Sequence, residues 1–94
     1  MIHPSAIVSS RARIADGVTI GPYTIIHDEV EIASGSSIGS HCEIGVPTPL
    51  AQGRPLQIGR DALIRSHSVF YQGSTFGDGL VTGHRVTVRE LTVE

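Results

Sequence analysis

The sequence has little net charge, a single cysteine and no long apolar run. Its formal net charge is −2 and its pI is near 6.2, so it lacks the basic surface that nucleic acid binds. Its apolar runs extend over only a few residues, which predicts neither a signal peptide nor a membrane span, and we expect a cytoplasmic protein. Cys42 occupies a position that predicts a small buried side chain and not a nucleophile.

Aliphatic residues recur every six residues along the first half of the chain. A period of six is neither that of an α-helix nor the simple alternation of a strand. It is typical of a hexapeptide β-helix, in which each unit forms one short strand and a turn, and three units complete a triangular coil. The series consists of Ile2, Val8, Ile14, Ile20, Ile26, Ile32, Ile38 and Ile44.

The other positions of each six-residue unit agree with an all-β parallel helix. The residue four places after each aliphatic is small or β-branched, as expected at the corner of a narrow prism where a large side chain would not fit. One continuous pattern predicts a single domain over residues 1–94, with about five triangular coils. The predicted corner residues are Ala6, Ala12, Val18, Thr24, Val30, Ser36 and Cys42.

The period is interrupted once, between Ile44 and Ile58, by an interval eight residues longer than one unit. Residues 45–57 contain three prolines, which lack a ladder donor, so they are predicted to form a loop that leaves one corner before the helix resumes on the next side. A tolerated surface insertion and a functional loop are both compatible with this pattern. The later in-phase residues are Ile64, Phe70, Phe76, Thr82 and Val88.

The pattern also predicts an open coil near the C-terminal end. The next in-phase residue after Val88 is Glu94, a charged residue where an aliphatic one is expected. An uncovered coil exposes unpaired backbone groups and an apolar cross-section. We therefore expect a shortened member of a longer family, or an end covered by another copy, and both explanations can hold together.

Three of the five histidines are predicted to project from one edge of the prism. Residues 2, 20, 38, 64 and 82 should stack on one side. His41 and His67 each lie three residues past an interior position on that side, so their side chains should stack about 5 Å apart in adjacent coils. His84 lies one step around the same corner in the following coil. His3 and His27 directly follow interior residues and form no such cluster.

Two stretches of the sequence carry a resemblance to a known family. The first is IHPSAIVSSRARIADGVTIGPYTIIHDEVEI, and the second is IGVPTPLAQGRPLQIGRDALIRSHSVFYQGSTFGDGLVTGHRVTVRE. They resemble hexapeptide-repeat acyltransferases, which are left-handed parallel β-helices. The loop, the IG…IR strand pair and the histidine-bearing rung are similar to UDP-N-acetylglucosamine acyltransferases. Thr82-Gly83-His84 with Arg89-Glu90 resembles a motif of nucleotide-sugar and polysaccharide acetyltransferases.

The resemblance implies an acyl transfer in which His84 is the general base. His84 would remove a proton from a sugar hydroxyl or amine, which then attacks the thioester of acetyl-CoA, another acyl-CoA or an acyl carrier protein, with no tightly bound cofactor. The amide of Gly83, or that of a nearby turn residue, would stabilise the oxyanion. Arg65, His67 and Arg89 would contact the substrate, because a guanidinium binds phosphate through two oxygens at once.

Two other interpretations of the histidines stay open. All three can be solvated turn residues, or they can bind a metal, since imidazole suits zinc. Proteins resembling γ-class carbonic anhydrases present two histidines five residues apart, whereas His84 is followed at that interval by Arg89. We therefore predict no metal and favour general acid–base chemistry.

The family resemblance further implies a homotrimer, alone or as two trimers meeting end to end. Outward apolar side chains support it, because a monomer would leave them wet. A non-catalytic β-helix that acts as an assembly or regulatory module is the alternative function. Neither function calls for nucleic acid or a membrane. The outward apolar residues are Ile7, Ile25, Leu63, Val69 and Val81.

Overall fold

The computed structural model describes residues 1–89, and these form short parallel strands joined by tight turns. A 3₁₀ helix, Pro49–Ala51, lies in the single long loop. The strands are β1 (Ile7–Val8), β2 (Arg13–Ile14), β3 (Thr19–Ile20), β4 (Ile25–Ile26), β5 (Val30–Ile32), β6 (Ser37–Ile38), β7 (Glu43–Val46), β8 (Leu56–Ile58), β9 (Leu63–Ile64), β10 (Val69–Tyr71), β11 (Thr75–Phe76) and β12 (Thr87–Val88).

The strands form three parallel sheets that enclose a triangular prism. The first face contains β1, β4, β7, β10 and β12, the second contains β2, β5, β8 and β11, and the third contains β3, β6 and β9. Consecutive strands of the chain therefore lie on different faces, and β1 to β8 each pair with the strand three places further on. β10 pairs with β12, because the chain between β11 and β12 forms only an isolated bridge on the third face. This topology confirms the predicted parallel β-helix. The bridges Ile2–Ile20 and Leu63–Val81 extend the third face, as the predicted stacking requires.

The interior of the prism is filled by the residues of the six-residue period. Phe70 and Phe76 pack edge to face with ring centroids 5.5 Å apart, where the earlier coils have aliphatic residues. Ile2 is 44% exposed, since a residue in the first coil has neighbours on one side only. The in-phase residues that are buried are Ile20, Ile26, Ile32, Ile38, Ile44, Ile58, Ile64, Phe70 and Phe76.

The predicted corner positions from Val18 to Cys42 are also buried, whereas Ala6 and Ala12 are partly buried, and the buried polar groups are hydrogen-bonded to the backbone. The hydroxyl of Thr24 donates to the carbonyl of Gly39 at 2.6 Å and accepts from the amide of Cys42 at 3.2 Å. The thiol of Cys42 donates to the carbonyl of Arg65 at 3.3 Å, and burial raises its pKa. Cys42 is thus a buried structural side chain, as predicted.

The loop lies where the sequence predicts it but is shorter than 45–57. Val46 continues β7 because it pairs with Tyr71 after a register shift, and its carbonyl accepts from the amide of Gln72. Leu56 already belongs to β8. Residues 47–55 therefore form the loop, which connects the first face to the second as the predicted corner excursion does.

Gly45 fits at the base of this loop because it has no side chain. Its φ is +87°, a left-handed conformation that favours glycine. A Cβ there would lie well under 3.0 Å from Cγ2 of Val30. Gly53, at the outer end of the loop, has a similar φ of +76°, but a Cβ there would have no neighbour within 4 Å.

The predictions for the last coil near the C-terminal end have different outcomes. Val88 lies in β12 and packs partly buried against the core, as expected. Glu90 and Glu94, on which the motif and the open-coil prediction depend, lie outside the described residues. Within residues 1–89 no helix has the length and apolarity needed to cross a membrane.

Candidate functional site

The histidines meet at the corner where the third face turns into the first. This histidine corner consists of the turns 21–24, 39–42, 65–68 and 83–86. One side chain of each turn joins a column along the axis, formed by Tyr23, His41, His67 and Arg85. The rings of His41 and His67 are 4.9 Å apart with an interplanar angle of 1°, which confirms the predicted stack. Tyr23 extends it at 5.2 Å from His41.

The backbone of this column is held in an uncommon conformation. All four residues have φ between 57° and 62°. This is the left-handed region of the backbone, which residues other than glycine and asparagine rarely adopt. The amide of Tyr23 donates to Oγ of Ser5 in the preceding coil at 2.9 Å, and the amides of the other three donate to carbonyls of the preceding coil. These hydrogen bonds, each 3.0 Å long, join His41 to Pro22, His67 to Ser40, and Arg85 to Ser66.

His84 lies beside this column, one residue before Arg85, and is exposed. Its Nδ1 is 2.7 Å from Oγ of Ser66, which occupies the equivalent position one coil earlier. Among residues 1–89, Ser66 is the only side chain that hydrogen-bonds this imidazole. Since Nδ1 is engaged, Nε2 is the nitrogen available to a reacting group.

Arg65 and Gly83 lie next to these histidines and hold the corner together through their backbones. The amide of Arg65 donates to Oγ1 of Thr82 at 3.3 Å, and its carbonyl accepts from Oγ of Ser68 at 2.9 Å. The carbonyl of Gly83 accepts from the same hydroxyl at 3.4 Å. The structure therefore brings Arg65, His67, Gly83 and His84 together at one corner.

Arg89 is the one predicted site residue that lies elsewhere. It follows β12, so the width of the first face separates it from the histidine corner. Its guanidinium carbon is 5.2 Å from the ring centroid of Tyr71, and its carbonyl accepts from Oγ of Ser74 at 2.7 Å. Arg89 and His84 of one chain therefore lie on opposite sides of the first face.

The charge at the histidine corner is suited to an anion. Arg65 and Arg85 are exposed, and neither forms an ion pair within residues 1–89. The four turns of the corner contain no Asp or Glu. Arg85 was not predicted as a site residue, although its place in the His41–His67 column could have been found by counting one coil onward.

A metal is not suited to the stacked pair. Parallel rings direct their nitrogens along parallel lines, whereas a tetrahedral ion needs ligands that converge on one point. Across the described part of the chain, no group of three or more His, Cys, Asp or Glu side chains could hold a metal ion.

Sequence reasoning also missed a contact of His27. Its Nε2 is 2.8 Å from Oε2 of Glu43, and the pair is partly buried on the first face. Ile26 pairs with Ile44 in register, and His27 and Glu43 are direct neighbours of these two residues. The register, and not the six-residue count alone, was the signal that could have found this pair.

An open groove of about 440 Å³ lies on the second face. The residues that line it include Arg13, Glu31, Ala33, Gln57 and Gly59. The second face is opposite the corner that joins the other two, so this groove cannot present a substrate to His84 of the same chain.

The chain is similar to known hexapeptide-repeat transferases. Residues 11–45 match the bacterial transferase hexapeptide family (six repeats). An acyl-[acyl-carrier-protein]–UDP-N-acetylglucosamine O-acyltransferase of Thermodesulfovibrio yellowstonii is 33% identical over 89 residues, or 95% of this chain and 34% of the relative. The enzyme of the same name from Saccharophagus degradans is 49% identical over 49 residues, or 52% of this chain and 19% of the relative. The chain thus spans about a third or less of their length.

Among solved structures, LpxA of Acinetobacter baumannii has a similar fold. Its TM-score is 0.55 at 23% identity, over 98% of this chain and 49% of that one. At this identity the likeness concerns the fold, and it confirms the predicted left-handed parallel β-helix.

Proposed function

We propose that this chain, which belongs to the hexapeptide-repeat superfamily of acyltransferases, transfers an acyl group to a hydroxyl or amine of a nucleotide-linked or polysaccharide sugar. The observation that carries the proposal is the placement of His84. One nitrogen of its exposed ring is held by Ser66, and two guanidinium groups that form no ion pair within residues 1–89 belong to the same corner. A proton acceptor beside an anion-binding surface suits an acceptor that carries phosphate.

His84 acts as the general base in the proposed reaction. Its Nε2 takes the proton of the acceptor hydroxyl or amine as that atom attacks the thioester carbonyl. The tetrahedral intermediate then collapses, the carbon–sulfur bond breaks, and the thiolate leaves. The imidazolium returns the proton to the thiolate, so that the thiol and the acylated sugar are the products.

The donor that we favour is an acyl carrier protein. The names of both relatives specify it, together with UDP-N-acetylglucosamine as the acceptor. Acetyl-CoA, the other donor predicted from the sequence, has no support from these relatives. No tightly bound cofactor is needed, because a thioester is already activated for acyl transfer.

The substrate contacts that we propose come from Arg65, His67, Gly83 and Arg85. The two guanidinium groups would bind a diphosphate, since each can bind two oxygens at once. Arg89 would contribute to this site only from a neighbouring copy, because it lies across the first face from His84 of its own chain.

The assembly that we propose is a homotrimer, acting in the cytoplasm. Ile7 and Val81 are 65% and 64% exposed, on the first and third faces that flank the histidine corner. The second face instead carries a polar row of Arg13, Glu31 and Gln57 that bond to one another. The apolar faces would therefore contact other copies. A clean monomer at micromolar concentration in sedimentation equilibrium would contradict the trimer.

An acylation assay tests the activity directly. The full chain is incubated with acyl carrier protein loaded with a defined acyl chain, or with acetyl-CoA, and with UDP-N-acetylglucosamine, and the product is identified by mass. We expect acylated sugar from the carrier-protein donor and a loss of about a hundredfold or more in His84→Ala. His3→Ala is the matched control, because His3 hydrogen-bonds Ser5 in the first coil, away from this site. Full activity of His84→Ala would show that the base is another group.

The alternative function is a non-catalytic assembly or regulatory module. The position of the groove on the second face favours it, since that groove lies on the face opposite His84. A binding titration separates the two functions. Saturable binding of the loaded acyl carrier protein supports the transferase, and no binding of it or of millimolar acetyl-CoA supports the module.

A further inference from the structure

The hydroxyl of Ser66 has a defined relation to the proposed base. Ser66 and His84 are 18 residues apart, which is one coil, so they hold equivalent positions in consecutive turns. The carbonyl of Ser66 accepts from the amide of Arg85 at 3.0 Å, and this rung fixes the backbones of both turns. The 2.7 Å contact between Oγ and Nδ1 therefore follows from the register of the coils and needs no loop to close.

A neutral imidazole carries one N–H, and a hydroxyl can either donate or accept. If Ser66 donates to Nδ1, the ring proton is on Nε2, and the outward nitrogen cannot take another proton from the acceptor. If Nδ1–H donates to Ser66, the lone pair of Nε2 faces outward. Only the second arrangement gives His84 a base at its accessible nitrogen.

We infer that Ser66 is a positioning residue, which accepts a hydrogen bond from Nδ1–H of His84 and so leaves Nε2 free to take the proton of the acceptor. This inference rests on the proposed function of His84. The same hydrogen bond persists when Nε2 is protonated, because Nδ1–H still donates to the hydroxyl. Ser66 thus also stabilises the imidazolium that forms during the reaction.

Ser40 provides a matched control for Ser66. It holds the same position one coil earlier, and within the described residues its hydroxyl makes no hydrogen bond. Ser66→Ala and Ser40→Ala therefore remove the same atom from equivalent turns, but only the first removes a partner of His84. Ser66→Thr keeps the hydroxyl and should restore what Ser66→Ala loses.

The first experiment reads the tautomer of His84 without any substrate. Proton–nitrogen correlation spectra of the full chain, assigned by comparison with His84→Ala, should show neutral His84 with its proton on Nδ1. Ser66→Ala should shift the ring toward the Nε2–H form, while Ser40→Ala and Ser66→Thr should not. An Nε2–H ring in the unmodified protein, or no response to Ser66→Ala, would overturn the inference.

The second experiment reads catalysis. In the acylation assay we expect Ser66→Ala to lower kcat about tenfold, which is the effect of about 1.4 kcal/mol, with KM changed less than about twofold. Ser66→Thr should recover most of that loss. If Ser66→Ala and Ser40→Ala have equal kcat while His84→Ala is inactive, Ser66 does not position the base, although the proposed function stands. If the unmodified chain is inactive, the proposed transferase function is refuted. The spectra then still show whether Nδ1–H of His84 donates a hydrogen bond to Ser66.

Discussion

Substitution of Gly45 by alanine should destabilise the protein strongly, for two separable reasons. The new side chain would occupy a φ of +87°, which costs about 1 to 2 kcal/mol for a residue other than glycine. Its Cβ would also meet Cγ2 of Val30, a fully buried side chain that cannot turn away from the neighbouring coils. Overpacking of this kind costs a further ~1–3 kcal/mol. We expect a total loss of about 2 to 5 kcal/mol in the free energy of unfolding.

Gly53→Ala is the control that separates the two effects. Gly53 has a similar φ of +76°, but an added Cβ there meets nothing within 4 Å, so only the backbone cost of about 1 to 2 kcal/mol remains. Urea unfolding followed by circular dichroism measures both variants, and each kcal/mol corresponds to about 4 to 8 °C in Tm for a domain of this size. Adding Val30→Ala should recover part of the loss in Gly45→Ala and none in Gly53→Ala. Equal losses in the two glycine variants would show that the contact with Val30 does not limit this turn.

Three further predictions concern buried and corner residues. Thr24→Val should lower the free energy of unfolding by about 1 to 3 kcal/mol, because it removes the buried hydroxyl that hydrogen-bonds to the backbone of Gly39 and Cys42. The control Thr19→Val, at an exposed strand position, should change that free energy by less than about 0.5 kcal/mol. A thiol reagent should modify Cys42 only as the chain unfolds. The raised pKa of this thiol means that the folded state holds its proton more tightly, so stability should fall as the pH rises above the ordinary value of 9.0, as urea titrations at pH 8 and above would show. Arg85→Ala should raise the KM for a UDP-sugar about tenfold with little change in kcat, and an equal effect of Arg60→Ala, whose guanidinium pairs with Asp78 at another corner, would refute a phosphate contact.

The fold could be predicted from the sequence because the interior of a narrow prism allows little choice. Each coil brings one side chain of every face to the axis, so an aliphatic is needed every six residues. The buried in-phase residues from Ile20 to Ile44, and again from Ile58 to Phe76, meet this requirement. The stack of His41 on His67 followed from the same count, since residues that hold equivalent places in two coils must lie one strand spacing apart.

The ends of the loop could not be counted in this way. Its limits depend on how far β7 and β8 continue to pair beyond the interior residues, and Val46 pairs with Tyr71 only after a register shift. The prolines at 47, 49 and 55 mark the segment that cannot pair, and these do coincide with the observed loop. The contact between His27 and Glu43 was missed for a related reason, because it runs diagonally between neighbouring outward positions and not along one column.

The side chains that we propose for the chemistry point outward at the corner, where the six-residue period does not require an apolar residue. An interior position must be apolar, whereas the residue at a left-handed corner needs only a backbone that the adjoining coils can hold. In the columns through Ser66 and His67, the turns therefore place an imidazole, a hydroxyl and a guanidinium within one or two coils of each other. A β-helix thus positions reactive groups by register and not by a loop. The imidazole of His84 is held along the axis by Ser66 and is open to the side, and this is where the proposed acceptor, or another copy, would enter.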